Sequence, residues 1–127
     1  MLKGRGLKKS IDMKKTGIWF KNADGVEYEI CFRKPDARVA PGADGLCDSP
    51  NQTSPRIRVN PYRTPQTQLN TIVHEMAHAF FWDKSELEIT KFGNAVSRVL
   101  YNRLGWRSQK VKAKKRLYQK DNKAPTK

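Results

Sequence analysis

Residues 64–82 read TPQTQLNTIVHEMAHAFFW. Thr64 is of the type that caps a helix, and Pro65 follows at the first helical position, where a missing N–H costs least. Leu69, Ile72, Val73, Met76 and Phe80 then recur at intervals of three and four, which predicts an amphipathic helix running to about Trp82. Within it stand His74, Glu75 and His78. Helical positions four apart lie one turn apart on the same side, with β-carbons about 6 Å from each other. Two imidazoles so placed reach a single zinc ion at about 2.0–2.1 Å without bending the backbone. Glu75 projects about 100° round the axis, beside such a metal, where its carboxylate can take a proton from a zinc-activated water. His74 and His78 are the only histidines in the chain. Scattered at random, they would fall four apart with a glutamate after the first only about once in 1,600 arrangements.

A third protein ligand is needed to hold zinc at a reactive site. With no further histidine, it must be a carboxylate or, failing that, Cys47. The acids that follow are Asp83, Glu86 and Glu88. Asp83-Lys84-Ser85 breaks the first helix, and a second is expected from Glu86 to about Leu104, with Gly105 as its stop. Its apolar stripe reads as Ile89, Phe92, Val96, Val99 and Leu100, centred near Val96. At about 100° per residue, Glu86 and Glu88 lie on opposite flanks of that centre, each about 80° away. Spacing therefore leaves both open. Ser85-x-x-Glu88 also has the form of a capping box, in which the glutamate serves only the helix start.

Upstream, residues 16–33, TGIWFKNADGVEYEICFR, predict a β-hairpin. Ala23-Asp24-Gly25 supplies the turn, and Val26, Tyr28, Ile30 and Phe32 alternate with polar neighbours. Six of the seven prolines fall between residues 34 and 65, so this stretch reads as loop broken by two short strands, near Gly45–Asp48 and Arg56–Asn60. Cys31 and Cys47 read as half-apolar strand residues. Trp19, Trp82 and Trp106 read as core or core-edge packing.

The whole chain has 127 residues, two cysteines and a formal charge of +14. That size suits one domain. Two cysteines are too few for a disulfide scaffold, and a reducing cytoplasm is the expected compartment. The apolar runs are far short of the roughly 20 residues that span a membrane. Charge is segregated. Residues 1–15 carry six Lys/Arg against one acid, residues 107–127 carry nine against one, and residues 16–106 are nearly neutral with eleven against ten. The expected organisation is a globular body over 16–106 with a basic tail at each end. The tails have the electrostatics of a sequence-independent nucleic-acid contact.

Leu46-Cys47-Asp48, RIRVNP, the helix 64–82 and SELEITKFGNAVSRVL together resemble the small HExxH metallopeptidases of phages and bacteria, which are similar to the SprT-like and ImmA/IrrE-like zincins. The resemblance covers roughly residues 45–104. It implies an α+β zincin-like fold: a small, mostly antiparallel sheet on two main helices, with the metal site between them. In members with a glutamate ligand, that residue precedes an apolar position by one helical turn, as in ExxxFxxA. Matched here, this implies Glu88 as third ligand with Phe92 and Ala95 after it, and His74, His78 and Glu88 around Zn2+. The implied activity is hydrolysis of a protein or peptide substrate with Glu75 as general base. The strand expected to receive that substrate is Arg56–Asn60. Tyr62 and Tyr101 are candidate donors to the developing oxyanion. Two other readings are a DNA-associated protease recruited by its tails and a non-catalytic zinc-stabilised nucleic-acid-binding module.

Overall fold

The computed structural model describes residues 17–109 and 113–114. The N-terminal basic tail and most of the C-terminal one lie outside the described residues.

Strands β1 (Ile18–Lys21) and β2 (Glu27–Cys31) form the expected antiparallel hairpin. Asn22 organises its turn. The side-chain oxygen accepts the N–H groups of Asp24 and Val26, both at 2.9 Å, while Gly25 takes φ +83°. The Asn22 amide donates to the Ala79 carbonyl at 3.1 Å, which pins the hairpin to the following helix.

Strand β3 (Gly45–Cys47) and strand β4 (Arg56–Val59) complete a four-stranded sheet of order β1-β2-β4-β3. Two of its three pairings are antiparallel, and β4 runs parallel to β2. This order corrects one expectation. Arg56–Asn60 is not available to a substrate, because β4 is flanked on both sides; the edge strand on its side of the sheet is β3. At the two ends of the β3–β4 ladder, the Asn60 N–H donates to the Asp44 carbonyl and the Asp48 N–H donates to the Arg56 carbonyl. The alternation of such a ladder turns the N–H and C=O groups of Gly45 and Cys47 toward the free edge.

Tyr28, Ile30, Ile57 and Val59 alternate onto one face of the sheet and are buried there with Ala79. The opposite face is polar, with Arg56 near Glu29 (3.6 Å) and Arg58 on Asp48 (3.2 Å).

Helix α1 (Pro65–Phe80) covers the buried face of the sheet. It starts as expected, with the Thr64 hydroxyl accepting the Thr67 N–H at 3.2 Å. Its most buried row is Gln68, Thr71, Glu75 and Ala79, whereas Ile72 and Met76 are only partly covered and Phe80 is exposed. The polar row fits because Gly45 lets β3 approach closely. A β-carbon at residue 45 would collide with the Thr71 methyl and stand 2.9 Å from Glu75 Oε2.

Helix α2 (Glu86–Arg98) packs on α1 and passes into a π-helical turn, Val99–Arg103, before Gly105 at φ +71°. Its buried residues are Ile89, Gly93 and Ser97, whereas Phe92 and Val99 are each about half exposed, at 49%. The stripe inferred from apolar residues alone is thus rotated. Gly93 sits against α1, where an added β-carbon would lie 3.4 Å from His74 Cα and Cβ, and small residues rather than Phe92 fill the seam. Trp19 is half-buried, but Trp82 and Trp106 are 45% and 65% exposed rather than packed in the core. Both cysteines are free and partly buried.

Gly45→Ala is expected to destabilise the fold by about 1–3 kcal/mol through overpacking between β3 and α1. Urea unfolding of the two proteins measures it; equal midpoints would show that the close approach is not needed.

Candidate metal centre

His74 and His78 lie on the side of α1 that faces α2, their rings 4.9 Å apart between centroids and at 70° to each other. The acid that meets them is Glu86. Its Oε2 stands 3.0 Å from His74 Nε2, and its Oε1 stands 2.9 Å from His78 Nε2. The three side chains form the candidate metal cluster among the described residues, with all donor atoms within 4.8 Å of one another.

The structure does not bring Glu88 to this cluster. Glu88 Oε1 accepts from the backbone N–H and the hydroxyl of Ser85, both at 3.2 Å, and the Ser85 hydroxyl accepts the Glu88 N–H at 3.1 Å. This is the capping box, complete in both directions. The helical rotation explains the correction. Relative to the observed buried row Ile89-Gly93-Ser97, Glu86 lies about 20° from the centre and Glu88 about 140° away, at about 100° per residue. The signal that could have separated them was the small-residue row at 93 and 97, four apart. Asp83 is exposed in the turn after α1 and is not part of the cluster.

The donor set suits a borderline-soft divalent metal: two imidazole nitrogens and a carboxylate, the composition of many three-ligand zinc sites. Donors placed tetrahedrally at about 2.0–2.1 Å from zinc lie roughly 3.3 Å apart. The observed nitrogen–oxygen separations need change by only a few tenths of an ångström. Burial, opposed by Glu86, holds the His74 pKa below its usual value, which favours the neutral imidazole that a metal requires.

Glu75 is buried, on the neighbouring side of α1 against β3. Burial first, and the Glu86 charge second, push its carboxyl up to about 7, within the range of a general base working near neutrality. A groove of about 330 Å³ opens beside it, lined by Asp44, Gly45, Asn70, His74, Glu86 and Asn94 among others. Asn70 donates to Asn94 Oδ1 at 3.0 Å across it, and Asp44 is paired with Arg63 at 2.7 Å.

Cys47 is close enough to Glu75 to feel its charge, but burial and that charge push the thiol up to about 12, so it stays protonated. Tyr62 and Tyr101 do not line the groove; Tyr101 carries the Arg107 guanidinium over its ring, 3.4 Å from the centroid, at a separate apolar cleft.

No helix among the described residues is long and apolar enough to cross a membrane. Comparison with protein-family models, curated proteins and solved structures finds no match to this chain.

Glu86→Gln is expected to weaken zinc binding by more than the roughly 10–100-fold that groups outside the ligand set are worth. Glu88→Gln should leave zinc affinity unchanged and lower stability by under about 1 kcal/mol, because glutamine can also close the box. Zinc titration against a chromophoric chelator separates the two; the opposite ranking would return Glu88 to the metal.

Proposed function

We propose that this chain is a zinc-dependent metallopeptidase in which His74, His78 and Glu86 hold the metal and Glu75 is the general base. The observation that carries the reading is the convergence of the Glu86 carboxylate on both histidine Nε2 atoms, with the buried Glu75 next to them at the wall of an open groove. When bound, zinc supplies Lewis acidity to a water and to a scissile carbonyl.

The chain's own residues supply the rest. The Glu75 carboxylate, raised toward neutrality by burial, takes the proton of the attacking water and returns it to the leaving amine. The backbone groups of Gly45 and Cys47 at the free edge of β3 can pair with an extended substrate, as β-strand addition requires. Gly45 keeps that edge against Glu75. A purely structural zinc site has no use for Glu75 in this place and would tend to close with four protein ligands.

Glu75→Gln is expected to keep its zinc and its fold while losing about 10²–10⁴-fold in cleavage of an unfolded protein substrate. Metal analysis and a casein-type cleavage assay on both proteins provide the test. Equal activity in the two would remove Glu75 from the chemistry, and a wild-type protein that stays metal-free in zinc would end the reading.

A further inference from the structure

The metal cluster lies between two surfaces of unlike chemistry. Along α1, Asn70 stands one turn before His74, and Trp82 stands one turn beyond His78, just past the helix end. On the Asn70 side the groove is walled by amides and hydroxyls: Asn70, Asn94, Thr67 and Thr90. Apart from Glu75 and Glu86 its one lining acid is Asp44, already paired with Arg63, so this side offers neither a large apolar surface nor a further free charge. On the other side the chain exposes large apolar groups in the turn between the helices and in the first turn of α2. Phe81, Trp82 and Leu87 are 46%, 45% and 63% exposed. The Trp82 ring stands edge-on to His78, with 6.5 Å between centroids, so this apolar surface abuts the metal cluster itself.

Resting on the metallopeptidase reading, we propose that the substrate is an extended peptide with an uncharged polar side chain in the Asn70–Asn94 groove and an aromatic or aliphatic side chain against Trp82, on the two sides of the scissile bond. The dimensions agree. From Asn70 to the helix end at Phe80 is about 15 Å at 1.5 Å per residue, and Trp82 lies just beyond, so five or six residues of extended chain at about 3.3 Å each cover the span. Strand β3 advances along α1 in the same sense, from Asp44 paired with Arg63 just ahead of the helix, through Gly45 at Thr71 and Glu75, to Cys47, which lies by Glu75 and packs with Ile72 and Met76 against the same core. A peptide paired to its edge is therefore laid from groove to rim. An apolar side chain is the occupant that gains most at Trp82, by removing aromatic surface from water, while in the groove it would strip water from amides without replacing their bonds.

The test is binding, so that it stands apart from catalysis. The zinc-loaded full-length Glu75→Gln protein is titrated with fluorophore-labelled hexapeptides of alanine, in which leucine, phenylalanine, serine or asparagine is placed at each pair of positions. The tightest binders are expected to carry phenylalanine or leucine at one position and asparagine or serine four or five residues away. Trp82→Ala should weaken the phenylalanine and leucine peptides at least tenfold and leave all-polar peptides within about twofold. Trp82→Phe should restore most of the loss. Asn70→Leu together with Asn94→Leu should invert the preference at the polar position. Peptides apolar at both positions binding best, a Trp82→Ala loss equal for all peptides, or no binding at millimolar peptide would each overturn the assignment. If these preferences hold while the wild-type protein cleaves none of the peptides, the two-sided site stands and the hydrolytic reading falls.

Discussion

The close seam between the two helices decides where every other functional group can be. With glycine at position 93, α2 can lie against the backbone of α1 at His74, at ordinary van der Waals separation from where even a β-carbon would stand. Ser97, one turn on, continues the same low ridge. Once that ridge is the contact, the rotation of α2 about its axis is determined, and Glu86 is carried to the histidines. A helix seated instead on Phe92 and Val96 would have turned the same carboxylate away. The second glycine contact, Gly45 against Thr71 and Glu75, works on the other side of α1, bringing the sheet edge up to Glu75.

Much of this architecture is legible in the sequence because it is local. The Thr64 cap, the Pro65 start, the hairpin turn at Ala23–Gly25 and the i, i+4 histidine pair each follow from residues within a few positions of one another. What could not be read is what depends on contacts distant in the chain. Apolar content is a sound guide to a buried face when one partner covers a helix, but α1 is covered by a sheet and by a second helix. Its tightest row is Gln68, Thr71, Glu75 and Ala79, where fit rather than hydrophobicity selects the residue. Gln68 is anchored there by its amide N–H groups, which donate to the Arg63 carbonyl at 2.9 Å and the Pro61 carbonyl at 3.4 Å. Strand order was equally hidden. Two short strands in a proline-rich stretch do not reveal that the later one inserts between β2 and the earlier one, which exchanges interior for edge.

Glu86 and Glu88 divide two tasks that either carboxylate could chemically perform. At the start of α2, backbone N–H groups are left without helical partners, and an acid in the first turn is favoured by the helix dipole. Glu88 meets that requirement through Ser85, and this leaves Glu86 free to turn toward α1. Without the capping box, the demand for an acceptor at the helix start would compete with the histidines for the same side chain. Helix start and metal cluster are thereby compatible within three residues.

The same economy explains why the candidate donor set among the described residues stops at three. Glu75 is the next acid along α1, but its position against β3 directs it to the groove wall, and it is not part of the cluster. Cys47 lies behind it, protonated and partly buried, with its sulfur 3.4 Å from the Asp48 carbonyl. A thiol so held is a poor metal ligand, because binding requires the thiolate. The groove gives one approach to His74 and Glu86, walled by amides and hydroxyls that are weak ligands beside imidazole and carboxylate. A metal held by these residues would therefore keep one side toward the groove. An open position of this kind separates a reactive site from a structural one.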